Sequence, residues 1–369
     1  MNYKTTGIIF ADISNGNLNE LTAHRPTASI PFGGRYRLID FMLSNFHYSD
    51  ITQVGIVVQG NYRSLMDHLG SGKDWDLSRK HGGLSILPPM TGQRVYHTWL
   101  EALYGLLAYL EKDQNELVIL SDSDIICSIN LDECIHFHLD RQADVTIVYR
   151  KNEPGTPPKE NSHAYHLDDD GRIHAVSIAP SSDESLLGMH IMVFNKICLL
   201  QIIREAMAYS LTDLHRDFFQ KNNGRYRLFG WEFTGYAKQV DSLQNYLDAN
   251  IDLLTPTVRE ELFYKNGPVC TRVRDEVPAQ YGEEATVTNS FIADGCTIEG
   301  NVQNSILFRG VKVGKGAKII NSVILKNSTI GENVTLDSTV ADKEVQIADS
   351  RTLMGYRTYP LYISSGSII

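Results

Sequence analysis

Two carboxylates, Asp122 and Asp124, follow the short apolar run Val118-Ile119-Leu120, with Ser121 and Ser123 interleaved. Acids at the end of a buried strand can hold a divalent cation such as Mg²⁺, or they can cap the strand end by accepting backbone N–H groups. A second apolar run, Thr6-Gly7-Ile8-Ile9-Phe10-Ala11, leads into a turn-rich segment from Asp12 to Asn19. Nucleotide-binding folds hold a glycine-rich loop at this position, and its backbone N–H groups wrap phosphates. Here the loop reads Asp12-Ile13-Ser14-Asn15-Gly16-Asn17, with one glycine and an acid at its mouth. The next stretch, Arg25 to Asn45, contains F-G-G-R-Y-R-L-I-D-F. Arg25 and Arg37 can pair with Asp40 or another acid. Gly33-Gly34 reads as a tight turn rather than a phosphate cradle. The twelve histidines show no H-E-x-x-H or other ligand spacing. His136 and His138 read as surface or half-buried helix residues, and Trp75, Trp99 and Trp231 as core or pocket-filling.

The elements that must position these groups follow from periodicity. Gly7–Ala11, Gln53–Val58, Leu117–Leu120, Val145–Tyr149 and Met189–Phe194 read as strands. Between them Leu38–Phe46, Tyr62–Leu69 and Leu100–Leu110 read as amphipathic helices. This alternation predicts a doubly wound α/β domain with parallel strands, whose ligands sit outside the carboxyl ends of the strands. A boundary falls near residues 246–275, where a helix over Tyr246–Leu254 gives way to a connector punctuated by Pro and Gly. Beyond Val287 an aliphatic residue opens six-residue units at Ile292, Ile298, Val313, Ile330 and Leu336. That repeat predicts a β-helix whose rungs stack their apolar residues and whose open ends favour association with another copy.

With 369 residues the chain is long enough for two domains with separate cores, and 42% hydrophobic and 21% charged residues are ordinary for a globular protein. No apolar run approaches the roughly 20 residues of a membrane span, and the first acid interrupts any secretory signal. Five scattered cysteines without CxxC pairing point to reduced thiols in a cytoplasmic protein, with neither a zinc site nor disulfides. A formal net charge of −10 argues against general nucleic-acid binding but leaves room for a local basic pocket.

The F-G-G-R-Y-R-L-I-D-F-M-L-S-N segment resembles that of the sugar nucleotidyltransferases, and among them the bacterial ADP-glucose pyrophosphorylase (glucose-1-phosphate adenylyltransferase) family. The resemblance spans nearly the whole chain. It implies a Rossmann-like, GT-A-like nucleotidyltransferase domain over residues 1–245, a linker over 246–285 and a left-handed parallel β-helix over 286–369. Family members join ATP to glucose 1-phosphate and release pyrophosphate, with carboxylates on Mg²⁺ and cations on the phosphates.

The positions that the resemblance makes functional are altered here. Asn17 matches the catalytic arginine of the family's glycine-rich loop, and Asp12, Ile13 and Asn15 match its glycines. Ser123 matches a metal aspartate, although a one-residue shift would put Asp122 or Asp124 there. Gln239 matches the second metal aspartate, Ala179 the sugar-phosphate lysine and Ile178 its preceding glutamate. Tyr96-His97-Thr98-Trp99-Leu100 replaces a nucleotide motif and sets Trp99 where the base would go. By contrast Arg25 and Arg37 match effector-binding arginines at the interface between the two domains, His24 stands for an effector lysine, Pro31 for a histidine, and Arg309 for an arginine displaced by one.

The resemblance therefore implies a noncatalytic regulatory subunit that holds no catalytic residues, metal or cofactor of its own. It would pair, in a hetero-tetramer, with a catalytic paralogue carrying Mg²⁺ and ATP, and answer to a phosphorylated effector. A homo-oligomer is the other assembly the open rungs allow. Two alternatives stay open: a weakly active nucleotidyltransferase using Asp122 or Asp124 for Mg²⁺, and an effector-sensing scaffold without an enzyme partner.

Overall fold

The computed structural model describes residues 4–12, 18–89, 96–152, 162–181, 186–222 and 224–369. The chain packs as two compact units, residues 1–15 with 41–236 and residues 16–40 with 237–369.

In the first unit a nine-stranded sheet is built on Thr5–Phe10, which lies parallel to Gln53–Val57 on one side and to Leu117–Asp122 on the other. Gly83–Leu87 extends the parallel half beyond Gln53–Val57. The other half departs from the expected all-parallel sheet. Leu186–Asn195 runs antiparallel to both Leu117–Asp122 and Val145–Lys151, and it arrives from an antiparallel pair, His163–Leu167 with Ile173–Ile178. A hairpin reverses the chain without a crossover helix, so the strand that follows it enters the sheet in the opposite sense.

The core forms where alternate strand residues meet helices. Ile8, Phe10, Val118, Leu120, Met192 and Phe194 pack with Leu100, Leu103 and Leu106 of helix Trp99–Lys112 and with Leu199, Ile202 and Ile203 of helix Lys196–Tyr209. Thr98 caps the first of these helices, its hydroxyl accepting the Glu101 N–H, while the Glu101 carboxylate accepts the His97 N–H at 2.7 Å. At Gly7 the backbone passes so close to Phe46 that a Cβ would lie 2.5 Å from the ring. Trp75 is fully buried and Trp231 half-buried on Leu228–Glu232, in keeping with packing roles.

In the second unit Pro31–Phe32 and Tyr36–Arg37 form a small hairpin, with Phe32 opposite Tyr36. Gly33 and Gly34 turn it with φ of 59° and 85°, values that disfavour any side chain. The Gly33 N–H donates to Asn250 Oδ1 at 3.0 Å, and the Tyr246 hydroxyl donates to the Pro31 carbonyl at 2.7 Å, so helix Leu243–Asp252 anchors the hairpin. A further helix, Pro256–Phe263, occupies part of the stretch read as connector, with its proline at the first helical position.

The C-terminal region is a β-helix of the left-handed hexapeptide kind, made of three five-stranded parallel sheets. Ile298, Val313, Ile330 and Ile347 stack along one sheet, and Val302, Ile319, Leu336 and Leu353 along the next. Asn289, Asn304 and Asn321 turn successive corners with left-handed φ of 43°, 47° and 48°. Beside them a serine ladder stitches the rungs: Ser290, Ser305 and Ser322 each accept, through Oγ, the backbone N–H of the residue one turn on.

Candidate functional site

The parallel register places Asp122 opposite Phe10 at the carboxyl ends of their strands, where ligands of such sheets bind. Asp122 is 3% exposed and both its oxygens are engaged. Trp99 Nε1 donates to Oδ1 at 2.8 Å, and His190 Nδ1 lies 2.7 Å from Oδ2. The Trp99 indole stacks on Phe10, with ring centroids 4.7 Å apart, and meets His190 edge-on at 6.2 Å. Ser123 is buried and its hydroxyl reaches the Ala11 carbonyl at 3.4 Å, while Asp124 is 1% exposed. Gln59 closes the neighbouring strand end by binding both the carbonyl and the N–H of Tyr96 and, at 3.2 Å, the Asp12 carbonyl.

Beside Asp122 stands a group of rings that spacing in the sequence does not reveal. His163 and His215 stack face to face, centroids 3.6 Å apart and 7° from parallel, and His163 lies 6.1 Å from His190. His215 sits on a π-helical turn and its Nε2 is 2.9 Å from the Tyr165 hydroxyl. Burial pushes His163 down to about 3, with the proximity of His190 adding to the effect. Burial, then His163 and His190, hold His215 well below the ordinary imidazole range. Both rings are therefore neutral at neutral pH and bring no positive charge to a phosphate. They come from different elements of the fold, so no local motif announces them.

The remaining altered positions belong to different segments of the chain. Asn17, with Ile13 and Asn15, lies outside the described residues. Ala179 is exposed in a left-handed turn, φ 56°, just after Ile173–Ile178. Gln239 is half-buried on strand Ala237–Gln239 of the second unit. His136 is exposed as expected of a helix surface, but His138 is buried more deeply than the expected surface or half-buried position. Its Nδ1 is 2.8 Å from the Thr146 hydroxyl. Helix Leu131–Asp140 turns that face onto the sheet. Among the described residues no three His, Cys, Asp or Glu side chains are grouped so as to hold a metal ion.

The expected anion-binding residues all fall in the second unit. Arg25 is 5% exposed and forms an ion pair with Asp342 rather than with Asp40. Asp40 instead accepts the Arg37 backbone N–H at 2.9 Å and the Thr271 hydroxyl at 2.6 Å. Arg37 is half-buried and its Nη1 donates to Ser29 Oγ at 2.8 Å. His24 is exposed, and Arg309 is half-buried on the turn after Ile306–Leu307. Lys343, next to Asp342, is pushed down to about 8, first by burial and then by Arg25 and Arg37. No local pattern links Asp342, Lys343 or Tyr362 to Arg25, so sequence reasoning missed them.

This fold is that of a nucleotidyl transferase. The nucleotidyl transferase family model matches residues 7–252, and the model for the GlmU-like C-terminal hexapeptide region matches residues 275–357. The glycogen biosynthesis protein GlgD of Bacillus subtilis is 32% identical over 372 residues, covering 100% of this chain and 97% of its own length. A glucose-1-phosphate adenylyltransferase of Clostridium botulinum is 35% identical over 339 residues, 87% of this chain and 85% of its own, and one of Bacillus mycoides is 30% identical over 356 residues, 94% and 93%. The chain belongs to the glucose-1-phosphate adenylyltransferase family.

Proposed function

We propose that this chain serves glycogen biosynthesis as the noncatalytic regulatory subunit of a heteromeric glucose-1-phosphate adenylyltransferase, pairing with a catalytic paralogue and modulating its turnover and effector response. The observation that carries the reading is the state of Asp122. Each of its oxygens is taken by a ring nitrogen of the protein, Trp99 on one side and His190 on the other. A carboxylate held this way does not fit Mg²⁺, which demands near-octahedral oxygen ligation, and the adjoining Ser123 is neutral. The resemblance puts Trp99 where the family keeps room for the base, and its indole stacks on Phe10. Transition-state charge on the α-phosphate calls for cations, and losing one such contact costs about 2–4 kcal/mol. Here Asn17 and Ala179 stand for the family's arginine and lysine, and Ser123 and Gln239 for its two metal aspartates, and none of the four carries charge.

Mg²⁺ and ATP belong, on this reading, to the partner subunit. Arg25, Arg37, Arg309 and His24 supply the regulatory side, as ligands of a phosphorylated or otherwise anionic effector. Regulation of this kind requires that the effector bind one state of the assembly better than another.

The test is ADP-glucose formation by this chain, by its paralogue and by the two mixed. The mixture should exceed the sum of the separate rates or shift the paralogue's substrate affinity, and the chain alone should be inactive. Turnover by this chain alone, abolished by Asp124→Ala, would sink the proposal in favour of a weakly active enzyme.

A further inference from the structure

We infer that Asp342 is an internal competitor for the Arg25 anion site, so that a phosphate-bearing ligand binds only by displacing this carboxylate. All the groups concerned lie in the second unit. Arg25 is nineteen-twentieths buried, and one of its terminal nitrogens is spent on Asp342, itself 1% exposed. The other terminal nitrogen, Nη1, is buried without a hydrogen-bond partner among the described residues. A guanidinium has five donors in a planar fork matched to a bidentate oxyanion, so an unfilled arm marks a site only half satisfied.

Cations outnumber acids around the pair, where Asp342 and Glu20 are the acids that act on Tyr362. Arg37, Lys326 and Lys343 all act on this locus: Lys343 is destabilised as a cation by burial, then by Arg25 and Arg37, with Asp342 opposing and Lys326 adding to the effect. Asp342 is the carboxylate bonded to Arg25, and a tetrahedral dianion would match the cluster better in charge and in oxygens.

Asp342 is also held in place by other groups. Its Oδ1 accepts the Lys343 backbone N–H at 2.7 Å, and the Tyr362 hydroxyl lies 2.8 Å from Oδ2. The same hydroxyl lies 2.8 Å from the Glu20 carbonyl. Its bond to Asp342 is one more that the carboxylate gives up when an anion displaces it, and the Glu20 carbonyl is there to take the freed proton. An entering anion would take the Asp342 position on Arg25 and fill Nη1 as well.

This inference rests on Arg25 being an anion ligand, and not on the chain being noncatalytic, which the mixing assay decides separately. The experiment measures inorganic phosphate binding to the full chain by calorimetry at constant ionic strength, for the wild type, Asp342→Asn, Tyr362→Phe and Arg25→Gln. Removing the competing charge should tighten phosphate binding about tenfold or more in Asp342→Asn. Loosening the carboxylate should tighten it about threefold in Tyr362→Phe. Unchanged or weaker binding in Asp342→Asn overturns the competition. If that variant does not fold, the absence of a gain in Tyr362→Phe overturns it instead. Binding that survives in Arg25→Gln refutes the anion-site reading itself, and the competition with it.

Discussion

Trp99 donates its indole N–H to the Asp122 carboxylate at 2.8 Å, across the carboxyl end of the central strands. On the proposed reading the bond joins the residue at the family's base position to an acid beside its metal position, so one contact would remove both functions. Trp99→Phe keeps a ring for stacking on Phe10 but removes the donor from a buried charge. A hydrogen bond to a charged group contributes about 1.5–3 kcal/mol, and urea unfolding should show a loss of that order. A change within error would mean that the pair is incidental to stability.

Asp122→Asn probes the same relationship from the other side. As a structural acceptor, Asp122 should matter to folding and not to stimulation of the partner. The variant should unfold at lower urea, while the stimulation per folded molecule in the mixing assay stays at the wild-type level. A proportional loss of activity in the mixture with unchanged stability would assign Asp122 to chemistry instead.

The frame of this molecule was legible because its signals are local. The apolar runs at Thr5–Phe10 and Leu117–Asp122 are short and bounded by turn residues. The aliphatic residues opening the six-residue units, Ile298, Val313 and Ile330 among them, are buried along one face of the β-helix. The antiparallel course of Leu186–Asn195 was not legible, since an apolar strand carries no mark of its direction. Nor were the contacts that define the sites. Asp342 reaches Arg25 from 317 residues away, and His163, His190 and His215 meet only because separate elements converge. The loop at Asn17 was prominent in the sequence and lies outside the described residues.

The Arg25–Asp342 pair also makes a prediction about stability. Truncating one partner of a buried ion pair strands the other charge, at a cost of about 3–5 kcal/mol. Arg25→Ala should therefore destabilise strongly. Arg25→Ala combined with Asp342→Ala should lose less than the sum of the single variants, since neither charge is then left alone. Additive losses in a double-mutant cycle would show that the two side chains are not coupled.

In the β-helix, Gly314 stands where rungs press together, and a Cβ there would lie 2.8 Å from the Gly331 carbonyl carbon. Backbone of a neighbouring rung cannot move aside as a flexible side chain would. Gly314→Ala should cost about 1–3 kcal/mol, the usual range for overpacking. Gly60 has open space around its Cβ direction, so Gly60→Ala is the control and should change stability by no more than about 0.5 kcal/mol. Equal effects from the two would remove the case for a tight rung contact.

Acid should destabilise the first unit through a buried and a half-buried imidazole. Burial pushes His138 down to about 4 and His163 to about 3, from an ordinary value of 6.5. In each case the unfolded chain takes up a proton before the folded one does. The stability these neutral rings contribute is thus complete above pH 6.5 and is lost as pH falls toward the folded values. At pH 5 each ring accounts for a loss of about 2 kcal/mol relative to neutral pH, from about 1.4 kcal/mol per pH unit. His138→Asn offers Thr146 a partner that does not titrate. It should lower stability at pH 8 yet flatten the decline between pH 6.5 and 5, in urea unfolding followed by tryptophan fluorescence. A decline as steep as that of the wild type would show that His138 titrates normally in the folded protein.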